Sequence, residues 1–205
     1  LIIDESGSGE FLSLALAPEG GAERYWSVKK TTPADLAGVD FLSYDAVILS
    51  GIPGLPESYA NRLKSFVRLG RALFLVYDGD TDIDQFNRGW AEMAGVTFDE
   101  PIRDDFTRAG FYTMAWVDVD HPIFSVFGFE NDQPPEIKFY TVPRLHVTPD
   151  SRVLLKFSGD RPALVENRFG QGRVLTFTGP LSPRYSDLTA HAFFVPFISR
   201  SAEYL

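Results

Sequence analysis

Apolar residues in this chain fall into short continuous runs and into stripes at helical spacing, and the two alternate. The run 46–49 (AVIL) stops at Ser50-Gly51, which predicts a buried strand and then a turn. Pro56-Glu57 opens a helix with proline and an acid in the first turn. Tyr59, Leu63, Phe66 and Val67 form its apolar stripe, with Asn61, Arg62, Lys64 and Arg68 outside it. Gly70 is the expected left-handed cap, and 72–77 (ALFLVY) is a second buried strand. Strand, helix and strand of this length predict a βαβ unit with a right-handed crossover. Chemistry on such sheets gathers at the carboxyl ends of the strands, here Ser50-Gly51-Ile52-Pro53 and Asp78-Gly79-Asp80.

The flanking patterns predict a strand at 1–4, a turn at Glu5-Ser6-Gly7-Ser8-Gly9, and a short helix carrying Phe11, Leu12, Leu14, Ala15 and Leu16. A strand is expected at 25–28 and a short helix from Thr32-Pro33. Asp82 followed by Gln85 is a capping-box pattern, predicting a helix to Ala94 closed by Gly95. Strands are expected at 111–117 and 138–142, with His121-Pro122-Ile123-Phe124 turning into a short apolar helix and 130–136 an exposed acidic loop. The runs 153–157, 163–167 and 173–177, separated by Ser158-Gly159-Asp160 and Gly170-Gln171-Gly172, predict an antiparallel meander. Phe193, Phe194, Phe197 and Ile198 mark the apolar face of a last helix, which begins or bends at Pro196. With no repeat and no low-complexity linker, residues 1–205 read as one α/β domain.

Composition narrows the function. A net charge of −9 over 205 residues argues against nucleic acid or an anionic lipid surface as the main partner. The absence of cysteine excludes disulfides, thiolate zinc sites and a Cys nucleophile. Eighteen Phe, eight Tyr and three Trp imply an aromatic-rich core or some exposed aromatic surface. No run approaches the ~18 apolar residues of a membrane span. Because Leu1-Ile2-Ile3 already reads as mid-strand, the chain is expected to be a piece of a longer parent protein.

Several constellations are candidates for chemistry. Asp78, Asp80, Asp82 and Asp84 alternate, as oxygen ligands of Ca²⁺ or Mg²⁺ can. An EF-hand register fails, since it needs Gly at Ile83 and Glu at Gly89. Strand termination by Asp78, capping by Asp82 and a helix-dipole role for Asp84 explain the run without a metal. The Gly7-Ser8-Gly9 turn resembles a phosphate loop but matches no nucleotide fingerprint, so a plain tight turn is favoured. His121, His146 and His191 lack ligand spacing: His121 reads as a turn residue and His146 as lying at a strand edge. Ser186, Asp187 and His191 are close in sequence without a nucleophile elbow. The aromatic run 193–198 reads as core-facing rather than partner- or membrane-facing.

Four segments together carry a family resemblance: YDAVILSGIPGLPESYANRLKSFVRLGRALFLVYDGD, HPIFSVF, PALVENRFGQGRVLTFTGPLSPRYSDL and FVPFISRSAEYL. The chain resembles the class I glutamine amidotransferase-like domains of BatA-type bacterial membrane proteins. The resemblance implies a flavodoxin-like, Rossmann-like three-layer sandwich, mostly parallel, with a C-terminal antiparallel meander. It places Asp78 where active amidotransferases carry their Cys nucleophile, so no catalytic residue transfers and no cofactor is implied. It also implies a membrane-anchored bacterial parent, often with a von Willebrand A-type domain, and an extracytoplasmic (periplasmic) location.

The function expected is a non-catalytic ligand- or protein-binding module. Its rim would be Ser50, Gly51, Asp78, Gly79 and Asp80. Its partners would be other domains of the parent or membrane-complex proteins, with membrane contact only through the parent. Two alternatives stand beside it: a hydrolase using Asp78 or Asp80 with a histidine, and a divalent-cation-binding domain using Asp78, Asp80, Asp82 and Asp84.

Overall fold

The centre of the fold is the predicted strand–helix–strand unit, here β3 (Ala46–Ser50), α2 (Glu57–Arg68) and β4 (Ala72–Val76). The computed structural model describes residues 1–18, 26–99, 110–129 and 133–205. Before this unit come β1 (Ile2–Asp4), α1 (Gly9–Leu16) and the short β2 (Lys30–Thr31). After it come α3 (Ile83–Ala94), β5 (Val96–Phe98), β6 (Tyr112–Val117), β7 (Lys138–Phe139) and β8 (Leu145–Val147). The chain closes with β9 (Arg152–Phe157), β10 (Arg161–Phe169), β11 (Gly172–Phe177) and α4 (Phe194–Tyr204).

Nine strands form one sheet in the order β2-β1-β3-β4-β11-β10-β9-β6-β7. Neighbours are parallel from β2 through β11 and antiparallel from β11 to β7. The predicted meander is therefore no appendage, because its last strand lies parallel to β4 with Phe177 opposite Val76. Gly172 makes this docking possible. A Cβ there would stand 2.1 Å from the Val67 carbonyl oxygen at the end of α2.

Alternate residues of the central strands enter two different apolar clusters, as side chains on opposite faces of a strand must. Ile2, Ile48, Phe74 and Phe177 pack with Leu12 of α1 and Phe197 and Ile198 of α4. Ile3, Leu49 and Leu75 pack with Leu63, Phe66 and Val67 of α2 and with Phe86, Trp90 and Met93 of α3. The abundant phenylalanines lie mainly inside these clusters.

Helix α3 starts and stops as its sequence predicts. The Asp82 carboxylate accepts from the Gln85 N–H (2.9 Å), and Gly95 closes the helix at φ +67°. Trp90 Nε1–H then donates to the Ile52 carbonyl (3.0 Å), fixing the helix against the turn after β3.

Other expectations need correction. Of the strand expected at 25–28, residues 26–28 form none, and pairing with β1 occurs at Lys30–Thr31; residue 25 lies outside the described residues. The short helix expected from Thr32-Pro33 is present, as a 3-10 helix over Pro33–Gly38. The segment from His121 is a run of turns rather than a helix, and the strand at 138–142 shortens to Lys138–Phe139. In the loop 130–136, residues 133–136 carry no regular structure and Pro134 is buried; 130–132 lie outside the described residues. The small sheet of β5 with β8 was not expected. Helix α4 begins at Phe194, so Pro196 falls in its first turn, where a missing N–H costs nothing.

Candidate functional site

Register aligns the carboxyl ends of three parallel strands, with Asp4 opposite Ser50 and Ser50 opposite Val76. The turns that follow bring Glu5, Ser6, Gly51, Pro53, Asp78, Asp80, Thr81 and Asp82 to one open cleft of about 460 Å³. Its remaining wall is Ser182, Arg184 and Tyr185, from the segment after β11.

On the β1 side, the Asp4 carboxylate accepts from the N–H groups of Ser6 (3.2 Å) and Gly7 (2.9 Å) and from the Ser6 hydroxyl (2.9 Å). An intramolecular carboxylate thus occupies donors that a phosphate would need, and the Gly7-Ser8-Gly9 turn is a structural one. Ser6 Oγ also lies 3.4 Å from Ser50 Oγ. Gly51, at φ +64°, has no room for a side chain: its Cβ would be 2.7 Å from Ser6 Cβ and 3.3 Å from Asp78 Cβ.

Asp78 is only 8% exposed and closes its own turn. Its Oδ1 accepts from the Asp80 N–H (3.2 Å), its N–H donates to Thr81 Oγ1 (3.0 Å), and its carbonyl accepts from the Thr81 N–H (2.9 Å). Burial pushes its carboxyl above the ordinary value, opposed by the Asp80 N–H and reinforced by the Asp80 charge. Beneath it the buried Tyr77 hydroxyl is pushed up to about 12, by burial first and then by Asp78 and Asp80.

Asp80 is exposed and reaches the opposite wall. Its Oδ1 accepts from the Tyr185 hydroxyl (2.7 Å), and its Oδ2 lies 3.8 Å from Arg184 Nη1. The Tyr185 ring sits directly on Gly79, where a Cβ would come within 2.8 Å of ring carbon Cδ2. The wall is anchored behind Tyr185. Ser186 Oγ donates to the Pro180 carbonyl, the Tyr140 N–H to the Tyr185 carbonyl, and the Lys138 N–H to Asp187 Oδ1.

The structure thus gathers Gly51, Asp78 and Asp80 of the expected rim, with Gly79 as floor beneath Tyr185. Ser50 is buried just below, at 1% exposure. Of the alternating acids, Asp82 lines the cleft but caps α3, and Asp84 is an exposed first-turn residue of α3 that is not part of the cleft lining. Among the described residues no three His, Cys, Asp or Glu side chains converge to hold a metal ion.

No histidine lines the cleft. His121 is buried; its Nδ1 accepts from the Ile123 N–H (3.3 Å) and its Nε2 lies 3.7 Å from Glu166 Oε2. His146 lies 3.3 Å from Asp99, and His191 lies 3.6 Å from Asp187. The Ser186 hydroxyl donates to a backbone carbonyl, so Ser186, Asp187 and His191 form no triad. Sequence reading missed Glu5, Ser6, Ser182, Arg184 and Tyr185. The Tyr185–Asp80 bond spans 105 residues, and no local pattern announces it.

No family model and no curated protein matches the chain. Solved structures do. A cytoplasmic protein of Salmonella typhimurium LT2 superposes with TM-score 0.76 at 17% identity, over 99% of this chain and 97% of its own. A second cytoplasmic protein of Salmonella typhimurium gives 0.73 at 17% identity, over 95% and 85%. A ThuA-like protein of Parabacteroides merdae gives 0.64 at 16% identity, over 99% and 88%. At such identities the likeness is one of fold, and the ThuA-like neighbour is consistent with a class I glutamine amidotransferase-like architecture. The expected extracytoplasmic location is overturned here, because both Salmonella neighbours are described as cytoplasmic. Among the described residues no helix is long and apolar enough to cross a membrane.

Proposed function

We propose that this chain is a non-catalytic amidotransferase-like binding module, a three-layer flavodoxin-type sandwich whose cleft beyond β1, β3 and β4 receives a ligand or a partner segment. The observation that carries this reading is the state of Asp78. It stands at the elbow after β4, where the resembled enzymes hold their nucleophile, yet its hydrogen bonds close its own turn and no histidine shares its cleft. A carboxylate there cannot form the thioester of the amidotransferase reaction, and no histidine stands beside it to complete that machinery. The open rim at strand ends remains suited to binding.

The resemblance to domains of BatA-type proteins supports a role within a larger bacterial assembly. Partners would then be other domains of the parent chain or components of its complex. A net charge of −9 disfavours nucleic acid among them.

The competing hydrolase reading draws on the raised carboxyl of Asp78. Assaying ester, amide and phosphate-ester probes with the wild type and Asp78→Asn separates the two. No turnover above the uncatalysed rate is expected from either protein. Turnover by the wild type that disappears in Asp78→Asn would replace the binding reading with an enzymatic one.

A further inference from the structure

The wall of the cleft carries a picture of what the cleft can hold. The Arg184 guanidinium carbon lies 5.1 Å from the centre of the Tyr185 ring, and Nη1 lies 3.8 Å from Asp80 Oδ2. The Tyr185 hydroxyl donates to the other oxygen of the same carboxylate at 2.7 Å. A planar cation therefore rests between an aromatic face and a carboxylate, on a side chain that is 74% exposed. The seat exists because residue 79 is glycine: any Cβ would displace the Tyr185 ring from the cleft floor.

Charge points the same way. Glu5, Asp78, Asp80 and Asp82 line the cleft, and among the described residues Arg184 is the one cation that lines it. An anion is poorly served, because Asp4 occupies the N–H donors of the neighbouring turn. A metal ion is poorly served too, because no three ligating side chains converge among the described residues. A soft organic cation uses both the ring and the carboxylate.

We propose that the cleft binds a guanidinium or alkylammonium group, which takes the place of Arg184 between Asp80 and Tyr185, and that Arg184 is the tethered competitor for this seat. The inference rests on the binding-module reading above. An exposed ion pair such as Arg184–Asp80 holds weakly, so an external cation that also meets Glu5 and Asp78 exchanges for it. The same chemistry is offered by a free amine and by an arginine side chain of a protein segment.

The test is an amide NMR titration of the full chain with agmatine, with a blocked Gly-Arg-Gly peptide, with its citrulline isostere, and with neutral glycerol. Agmatine and the arginine peptide should shift the amides of Gly79, Asp80 and Thr81, and the citrulline peptide should not. The tighter binder of the two identifies the source as small molecule or protein segment. Arg184→Ala should tighten binding roughly two- to fivefold, the range spanned by an exposed ion pair. Tyr185→Leu should weaken it by a similar factor, and Asp80→Asn should abolish the shifts. Equal binding of the citrulline peptide, or no gain in Arg184→Ala, overturns the proposal. If glycerol alone moves these amides, the cleft still binds and only its cationic preference is lost. If no probe moves them, the cation proposal falls, while the absence of turnover continues to stand or fall on its own assay.

Discussion

Asp78 is where burial and charge oppose each other most sharply in the cleft. It is 8% exposed, and burial holds its carboxyl above the ordinary 3.8 despite the N–H of Asp80. An acid whose folded pKa lies above its unfolded one binds its proton more tightly when folded. It therefore supports the fold at low pH, and that support is lost as the pH rises from about 3.8 through the folded pKa. Above the folded pKa the fold no longer has the support that the protonated carboxyl gives it. Asn keeps the oxygen that accepts from Asp80 and removes the charge. Asp78→Asn should accordingly be more stable than the wild type at pH 7, with the two converging near pH 4 and below. Urea denaturation of both proteins across this range measures the effect. A variant that is weaker at pH 7 would mean that the carboxylate, rather than its acid form, is what the turn requires. Asp78 was legible in the sequence as a strand-end carboxylate. Its buried setting was not, because Ser6, Gly51 and Asp4 reach it from distant parts of the chain.

Elements whose ends are set by their own residues followed their pattern. Helix α3 is the clearest, with the Asp82 carboxylate at its start and Gly95 in the left-handed region at its end. Gly95 also lies against β10: a Cβ there would be 2.1 Å from Ser151 Oγ and 2.8 Å from Asn167 Cβ. Asn167 in turn donates to the Met93 carbonyl at 2.9 Å, so helix end and strand share one packed joint. Gly95→Ala should destabilise the protein by about 3 kcal/mol, combining left-handed strain of roughly 1–2 kcal/mol with the clash. Thermal unfolding against the wild type checks this, and a loss below about 1 kcal/mol would show that the joint yields. The strand expected at 25–28 failed for an instructive reason. Trp26 and Val28 do bury apolar surface, against the cluster that holds α1 and α4, but without a ladder partner. Pairing falls instead to the polar Lys30–Thr31 at the sheet edge, where backbone hydrogen bonding requires no apolar pattern.

Over the whole molecule β11 is the joint between the parallel and antiparallel halves, bonded to β4 on one side and β10 on the other. Phe177, fully buried, continues that joint into the core. Its ring lies 5.3 Å from Phe197 of α4 and 6.5 Å from Phe139 of β7. Phe177→Ala should cost about 3–5 kcal/mol. It should leave one cooperative transition, with far-ultraviolet circular dichroism and tryptophan fluorescence coinciding. Separate transitions for the two probes would show instead that the halves unfold independently. The position of β11 also matters for the cleft. The segment that follows it carries Arg184 and Tyr185 back over the ends of β3 and β4, which completes the fourth wall.

The α/β alternation, the central strand–helix–strand unit, the three strands of the meander, the caps of α3 and the strand ends at Ser50-Gly51 and Asp78-Gly79-Asp80 were all legible in the order of residues. All of these depend on hydrophobic period and on turn or cap residues acting within a few positions. Folding in three dimensions was needed to show that the meander joins the parallel sheet through β11, that the histidines lie away from the cleft, and that Tyr185 closes on Asp80. Those outcomes are set by packing and hydrogen bonds between residues far apart in the chain, as in the 105-residue span from Asp80 to Tyr185. Period and spacing carry no record of such contacts, because each partner is locally an ordinary surface residue until the sheet brings the two together.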